Sequence, residues 1–305
     1  MTHDRTVPVS LICVLLLSGA MASCTSDAGD TAELTYATDI LVDAAWLEAH
    51  MEDPGLRVIE VGGNADAFGE GHLPGASFLS TRRLSNPDDP VSGQIGTAAQ
   101  VSAALSDIGV GRDDILVLYD RQNNLQAARA YWVMKYYQHP QVRIYNGGTP
   151  KWAEEGGALS TAMVEFEPSN YQAGPADPEI RTTWQYVVDH TDDPTTLFCD
   201  TRSPDEHLGR DVRADRGGHI PGSINVEWTA AVNPDGTFKS AAQLTALYGG
   251  AGFTPDRQII TYCQSGVRGA HTWFVLSELL GYPSVRNYDG SWGEYGNNPE
   301  SPIES

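Results

Sequence analysis

The residues with the clearest chemical potential lie in the stretch YCQSGVRGAH, residues 262–271. Cys263 follows the apolar run QIITY and precedes a helical pattern, which predicts a strand-to-helix loop. In such a loop the backbone N–H groups and the helix N-terminus converge on the sulfur, and Gly266 lets the backbone turn. A thiolate stabilised in this way is a nucleophile that can form a covalent intermediate. The alternative is a buried core thiol.

The N-terminal residues are predicted to serve export rather than the fold. The run LICVLLLSGAMAS is too short to span a membrane and is typical of a secretory signal. SGAMASC resembles a bacterial lipobox, so we expect a signal peptide over residues 1–23, a lipid on Cys24 and an acidic tether over residues 24–33. A plain signal peptide is the alternative. The expectation is an exported protein, lipid-anchored to a bacterial membrane and facing the periplasm.

This interpretation leaves two of the four cysteines for the folded part. Cys13 is removed with the signal peptide and Cys24 carries the lipid, so Cys199 and Cys263 remain, with Cys263 as the candidate for an exposed thiol. Cys199 ends the apolar run TLFC and is predicted to be a core residue, with a resolving thiol as the alternative. A bridge between Cys199 and Cys263 stays open at this point.

The chain is predicted to consist of two similar halves. DDILVLYDRQNN (113–124) aligns with DRQIITYCQSGV (256–267), VRIYNGGTPKW with VRNYDGSWGEY, and EGHLPGAS with GGHIPGSI. We expect domains over residues 34–158 and 178–305, with a linker over 159–177. Short β-rich runs alternate with helical stretches, so the predicted fold class is α/β, each domain a mainly parallel sheet flanked by helices on both faces. Asp120 stands where the second half has Cys263, so the first half is predicted to be non-catalytic.

The ordered motifs CDTRSPDEHLG, GGHIPGSIN, ITYCQSGVRGAHTWFVL and VRNYDGSW resemble the catalytic half of a tandem rhodanese, and the first half resembles its non-catalytic partner. The resemblance implies two rhodanese folds with the active site between them and a persulfide on Cys263. The implied active-site loop is Gln264, Ser265, Gly266, Val267 and Arg268. It implies no cofactor. The sequence also shows no CxxC and no His–Cys pair at ligand spacing, so no metal is expected.

Charged residues around the loop are predicted to support it or to bind substrate. Asp200, Arg202 and Glu206 match the DxRxxxE segment of single-domain rhodaneses, in which the acidic residue pairs with a loop arginine. We expect Arg268 to pair with Glu206, because a buried charge needs a partner. Binding of an anionic substrate by Arg268 is the alternative. The other candidate substrate-binding residues are Arg213 and Arg216, with Arg82, Arg83 and Arg121 from the first half completing the pocket.

The predicted activity is sulfur transfer from a small anionic donor, with thiosulfate favoured, to cyanide or a thiol. The loop is shorter by one residue than that of tyrosine phosphatases, which favours sulfur over phosphate or arsenate chemistry. The alternatives are 3-mercaptopyruvate as donor and a sulfur-carrier protein without turnover. A net charge of −21 without a basic stripe argues against nucleic acid as a partner. Contact with a membrane is expected through the lipid anchor only.

Overall fold

The computed structural model describes residues 1–3 and 34–305. The predicted signal peptide beyond residue 3, the tether, Cys13 and Cys24 therefore lie outside the described residues. No helix within the described ranges is long and apolar enough to cross a membrane.

Residues 34–305 form ten β-strands in two sheets. The first sheet contains β1 (Leu41–Val42), β2 (Leu56–Gly62), β3 (Ser77–Ser80), β4 (Ile115–Tyr119) and β5 (Val142–Tyr145). The second contains β6 (Arg181–Thr182), β7 (Thr196–Asp200), β8 (Ile224–Asn225), β9 (Gln258–Tyr262) and β10 (Val285–Tyr288). The strand orders β1-β5-β4-β2-β3 and β6-β10-β9-β7-β8 are identical in pattern, and every pair of neighbours is parallel. The predicted fold class is confirmed.

Helices connect the strands in both halves. In the first half they are α1 (Ala44–His50), α2 (Ala65–Glu70), α3 (Ala98–Ser106), α4 (Leu125–Tyr136) and α5 (Gly148–Glu154). In the second they are α6 (Trp184–Asp189), α7 (Pro204–His207), α8 (Ala241–Gly250), α9 (Val267–Trp273) and α10 (Ser291–Tyr295). A π-helical turn, Phe274–Leu279, extends α9. The helices α3 and α8 begin with the same capping box, Thr97 with Gln100 and Ser240 with Gln243.

The cores of the two halves merge where α4 meets α9. One face of each sheet has a cluster of its own, whereas the other faces share one cluster that contains residues of both halves. The Tyr131 ring contacts the Phe274 ring edge-on at 4.8 Å, and its hydroxyl donates to Glu278. Because α4 is covered by the first sheet and by α9, nine of its twelve residues are buried. The loops that follow β4 and β9 therefore lie beside the contact between the halves.

The predicted linker, 159–177, runs along the first half. Ser160 pairs with His72, and Ser169 donates from its backbone to Ser106. Tyr171 is buried and contacts His139 and Arg112. The exact boundaries of the predicted domains stay a prediction.

Candidate active site

Cys263 follows β9, the central strand of the second sheet, at the carboxyl edge where parallel sheets place ligands. The chain turns sharply at Gly266, with φ +75°, and α9 begins at the next residue. A Cβ atom on Gly266 would lie 2.7 Å from the backbone oxygen and from the carboxylate of Asp289. Only glycine fits this turn, for reasons of both backbone conformation and space.

Ser291 holds the two ends of the turn together. Its Oγ accepts hydrogen bonds from the backbone N–H groups of Cys263 and Gly266, both at 3.0 Å, and donates to the carbonyl of Tyr288. Trp292 donates from its backbone to the Cys263 carbonyl at 2.8 Å. Ser291 adopts φ +51°, an uncommon conformation for a residue with a side chain. The backbone on both sides of the sulfur is therefore fixed from the turn after β10.

The backbone N–H groups of Ser265, Val267 and Arg268 donate to no protein acceptor within residues 34–305. Val267 and Arg268 lie in the first turn of a helix, where N–H groups lack intrahelical partners. The first half shows where such groups point. There, Asp120 accepts from Gln122, Asn124, Gln126 and Ala127, all through backbone N–H groups at 2.6–3.1 Å.

Asp120 thus fills with its own carboxylate the cradle of N–H groups that follows the central strand. Burial raises the pKa of Asp120 above its usual value, although the four hydrogen bonds act in the opposite direction. In the second half, three of the four equivalent N–H groups, those of Ser265, Val267 and Gly269, have no protein acceptor among the described residues beside Cys263. The fourth, that of Ala270, donates to the Gly266 carbonyl. The arrangement can therefore stabilise one negative charge on sulfur.

Arg268 and Glu206 form the ion pair expected from the sequence. Both Nη atoms of Arg268 donate to the two carboxylate oxygens of Glu206, at 2.7 and 2.8 Å. Burial acts to raise the pKa of Glu206, but Arg268 outweighs it and the pKa falls to about 2. Burial opposes the charge on Arg268, whereas Glu206 and the charge of Cys263 raise its pKa. Arg268 is therefore a permanent cation beside the sulfur.

Asp200 and Arg202 form a second buried pair beneath the site. Arg202 donates through Nε and Nη2 to the two carboxylate oxygens of Asp200 and stacks on the Trp292 ring at 4.4 Å. Tyr262 donates to the same carboxylate at 2.9 Å. Burial again opposes the charge of Asp200, but hydrogen bonds from His207 and Arg202 lower its pKa to about 2. These contacts fix the end of β9.

The structure places the two candidate substrate-binding arginines in different surroundings. Arg213 is about half exposed, at 52%, and lies 3.6 Å from Glu206, while its backbone carbonyl accepts from Gln264. Arg216 donates instead to four backbone carbonyls of the C-terminal segment, those of Tyr295, Gly296, Asn298 and Ser301. These contacts favour a structural role for Arg216, and its binding of substrate stays a prediction.

Cys263 is 1% exposed, so the expectation of an exposed thiol is wrong for this structure. The first half also contacts the loop two residues later: Gly93, at φ +91°, lies so close to Ser265 that a Cβ atom on Gly93 would come within 2.9 Å of the Ser265 carbonyl oxygen. The loop of the first half therefore packs on the active-site loop. Cys199 is buried too, as expected, and no disulfide joins the two thiols.

A cavity of 460 Å³ lies beside this contact, lined by Arg82, Gly93, Gln126, Arg129 and Val267 among others. Of the three first-half arginines predicted to complete the pocket, Arg82 lines this cavity. Arg83 pairs with Asp107, and Arg121 pairs with Glu60. No group of three or more His, Cys, Asp or Glu side chains in the described part of the chain is arranged to hold a metal ion.

Three residues of the site were missed from the sequence: Arg129, Asp289 and Ser291. The signal for two of them was available in the aligned repeat, because YDGS of the second half stands against YNGG of the first. Asp289 and Ser291 differ from their counterparts, Asn146 and Gly148, as Cys263 differs from Asp120. Arg129 carried no such signal, since its contacts cross between the halves.

The comparisons with known proteins agree with this geometry. The rhodanese-like domain matches residues 43–155 and 183–298. The chain is 41% identical over 276 residues to the sulfur carrier protein TtuD of Thermus thermophilus, covering 87% of this chain and 96% of that protein. It is 40% identical over 274 residues to a Mycobacterium bovis protein provisionally named thiosulfate sulfurtransferase 1, covering 87% and 98%.

Solved structures extend the likeness to persulfide chemistry. The anaerobic ergothioneine biosynthesis enzyme from Chlorobium limicola, in complex with trimethyl histidine, superimposes with a TM-score of 0.80 at 26% identity, covering 87% of this chain and 70% of that one. A variant of EanB solved as a cysteine persulfide with ergothioneine gives a TM-score of 0.80 at 25% identity, with the same coverage. Both halves match one domain family and the relatives align over nearly their whole length, so the chain belongs to the tandem rhodanese-like family of sulfurtransferases.

Proposed function

We propose that the protein is a thiosulfate sulfurtransferase in which Cys263 carries the sulfur as a persulfide. The observation that carries the proposal is a set of N–H groups beside Cys263, those of Ser265, Val267 and Gly269, that are unpaired within residues 34–305. Their counterparts in the first half hold the carboxylate of Asp120. A cradle that stabilises one negative charge suits a thiolate and equally a persulfide anion. The provisional name of the mycobacterial relative supports thiosulfate as the donor.

The reaction takes two steps. The Cys263 thiolate attacks the outer sulfur of thiosulfate, a new S–S bond forms, and the bond to the central sulfur breaks with its electron pair leaving on sulfite. Cyanide or a thiolate then attacks the terminal sulfur of the persulfide. The S–S bond breaks toward Cys263, which regenerates the thiolate and releases thiocyanate or a new persulfide. Charge is conserved in both steps, and no oxidant or cofactor is consumed.

Two arginines supply the positive charge that an anionic donor requires on so acidic a protein. Arg268 lies beside Cys263 and is held by Glu206, so its charge is fixed close to the sulfur. Arg213 is about half exposed and lies 3.6 Å from Glu206, and its guanidinium donates to Asp211 at 2.6 and 2.9 Å. An arriving anion would exchange with the exposed Asp211 for this guanidinium. We assign donor binding to Arg213 and stabilisation of charge at the sulfur to Arg268.

Steady-state formation of thiocyanate from cyanide, with thiosulfate and 3-mercaptopyruvate compared side by side, tests the donor. The proposal predicts a higher kcat/KM for thiosulfate and loss of both activities in Cys263→Ser. Preference for 3-mercaptopyruvate would make the protein a mercaptopyruvate sulfurtransferase. Reduction of arsenate at a comparable rate would contradict sulfur transfer as the main activity.

A sulfur carrier is the second candidate, favoured by the likeness to TtuD. A carrier would load Cys263 with sulfur in one turnover but would not cycle rapidly with a small acceptor. Single-turnover loading measured beside steady-state turnover separates the two. A steady-state rate of thiocyanate formation close to the single-turnover rate of loading supports the enzyme. Rapid loading with negligible thiocyanate formation supports the carrier.

We further propose that the chain is exported and held at a bacterial membrane by a lipid on Cys24, facing the periplasm. The support is the lipobox-like stretch SGAMASC after a short apolar run. The intact mass of the mature protein isolated from its host tests the anchor. A protein that begins at Cys24 with added lipid mass is expected, and a mature form without that mass would refute the anchor.

A further inference from the structure

Arg129 lies on α4 in the non-catalytic half, yet its guanidinium reaches the active-site loop of the other half. The side chain is buried and packs on the Trp132 ring at 4.6 Å. Its Nη2 donates to the carbonyl of Gly93 at 2.9 Å, and its Nη1 approaches the carbonyl of Gly266 at 3.4 Å. The same Nη1 lies 2.7 Å from Oδ1 of Asp289. One buried cation therefore joins three segments at the contact between the halves.

Asp289 connects this cation to the backbone that holds Cys263. It is fully buried and directly below Gly266, where it occupies the space of the missing Cβ atom. Its Oδ2 also accepts from the backbone N–H of Ile95 at 2.7 Å and from Arg181 at 3.3 Å. Two residues later Ser291 binds the N–H groups of Cys263 and Gly266. A shift of Asp289 would therefore move both ends of the catalytic turn.

Each half donates a backbone hydrogen bond to the turn after the last strand of the other half. Within residues 34–305, only the turn of the second half also forms an ion pair across the contact. Ile95 donates to Asp289, and in the reverse direction Phe238 donates to Asn146, the counterpart of Asp289. Asn146 is uncharged, and the counterpart of Arg129 on α9 is Thr272. The hydroxyl of Thr272 is buried without a hydrogen-bond partner among the described residues. The buried charge pair thus serves the loop that contains Cys263 and not the loop that contains Asp120.

We propose that Arg129 is a positioning residue, supplied by the non-catalytic half, that fixes the catalytic turn through Asp289 and the Gly266 carbonyl. It does not contact the sulfur, and it acts by holding the N–H cradle in the geometry that stabilises the thiolate and the persulfide. The inference rests on the proposed function in assigning the sulfur to Cys263. It gives the non-catalytic half a direct part in the reaction in addition to forming a wall of the cleft.

The test compares Arg129→Met and Arg129→Lys with the unchanged protein. Methionine keeps much of the packing on Trp132 but removes the charge, so kcat should fall about tenfold or more while KM for thiosulfate changes less than about threefold. Lysine keeps the charge beside Asp289 but cannot bind the Gly93 and Gly266 carbonyls together with it. Arg129→Lys should therefore recover part of the lost kcat.

Arg112→Met is the matched control. Arg112 also lies in the first half, donates to backbone carbonyls and packs on an aromatic ring, that of Tyr171, but it does not contact the catalytic loop. Its replacement should leave kcat within about twofold of the unchanged value. An equal loss of kcat in Arg112→Met and Arg129→Met would attribute the effect to general destabilisation and overturn the proposal.

Hydrogen exchange of the peptide that contains Cys263–Gly269 gives a readout without any sulfur donor. Arg129→Met should speed exchange in this peptide, Arg129→Lys less so, and Arg112→Met not at all. If Arg129→Met changes neither hydrogen exchange in this peptide nor kcat, the positioning role is refuted and the proposed function is not affected. Faster exchange in a protein that lacks sulfur transfer would refute the proposed function and leave the positioning role intact. If Arg129→Met does not fold, the same two outcomes are judged on Arg129→Lys.

Discussion

The loops after β4 and β9 occupy the same position in their sheets but begin with different side chains, Asp120 and Cys263. Both follow the central strand of their sheet, and both turn through the left-handed region, at Asn123 and at Gly266. In the first loop Asp120 binds four backbone N–H groups and so consumes the cradle. In the second, the equivalent N–H groups of Ser265, Val267 and Gly269 have no protein acceptor in the described part of the chain, and that of Ala270 donates to the Gly266 carbonyl. The side chain at this position therefore determines whether the N–H groups are bound within the loop or remain available.

The loops differ also in the charges around them. Leu125 stands at the position of Arg268, so the first loop has no cation that corresponds to the one beside Cys263. Asn146 and Gly148 replace Asp289 and Ser291, so the first loop lacks the buried carboxylate and the hydroxyl that fix the catalytic turn. The non-catalytic half therefore differs at several coupled positions, and replacing Asp120 with cysteine would not by itself create a second site.

The largest effect is expected from Cys263→Ser. Loss of the only nucleophile of the proposed mechanism should lower sulfur transfer by roughly a thousandfold or more, because a hydroxyl cannot carry sulfane sulfur. Steady-state thiocyanate formation measures it. The matched variant Asp120→Ala should retain kcat within about twofold but lose about 2 kcal/mol of unfolding free energy, since it leaves buried N–H groups without an acceptor. A large loss of kcat in Asp120→Ala would contradict the prediction that the first loop takes no part in sulfur transfer.

Arg268→Leu introduces the residue of the first half into the catalytic loop. Glu206 keeps Ser203 and the more distant Arg213 but loses its bidentate partner. We expect the unfolding free energy to fall by about 3 kcal/mol, measured in urea, and the activity to fall more than tenfold. The exposed pair of Arg210 with Asp205 is the control, because Arg210→Leu should cost less than about 1 kcal/mol.

Arg213→Gln and Arg216→Gln separate binding from structure. Arg213 is exposed beside Glu206, so its loss should raise KM for thiosulfate several-fold, by roughly 1 kcal/mol of binding, with little change in stability. Arg216 holds four carbonyls, so its loss should lower the melting temperature and leave KM nearly unchanged. A change in KM confined to Arg216→Gln would reverse the two assignments.

The pH dependence of stability should report on the buried carboxylates Glu206, Asp200 and Asp120. The pKa values of Glu206 and Asp200 are about 2 in the folded protein, below the ordinary 4.5 and 3.8. Their contribution is fully present above about pH 4.5 and is lost as the pH falls toward 2. The pKa of Asp120 is raised, so its contribution has the opposite sign. Urea midpoints measured at decreasing pH should fall less steeply in Glu206→Gln, and an unchanged slope would contradict the assignment.

The sequence predicted the features that are local or repeated. Apolar runs and alternating elements predicted two parallel sheets, and the aligned repeat located Cys263 and Asp120. The pairing of Arg268 with Glu206 was predicted from the resemblance to single-domain rhodaneses. The packing of Gly93 on Ser265 was not predictable, because the two residues are distant in the chain and belong to different halves. The contact of Arg129 with Asp289 was hidden for the same reason: it forms only when the two halves pack together. The carbonyl contacts of Arg216 depend on where the C-terminal segment folds back.

The mass of the peptide that contains Cys263, measured after brief exposure of the protein to thiosulfate without an acceptor, tests the central claim most directly. The account predicts the added mass of one sulfur atom on this peptide, its absence in Cys263→Ser, and its removal on addition of cyanide. The peptide that contains Cys199 should remain unmodified, because burial and the neighbouring Asp200 carboxylate raise the pKa of that thiol. Sulfur on Cys199, or thiocyanate formation without any sulfur on Cys263, would contradict the account.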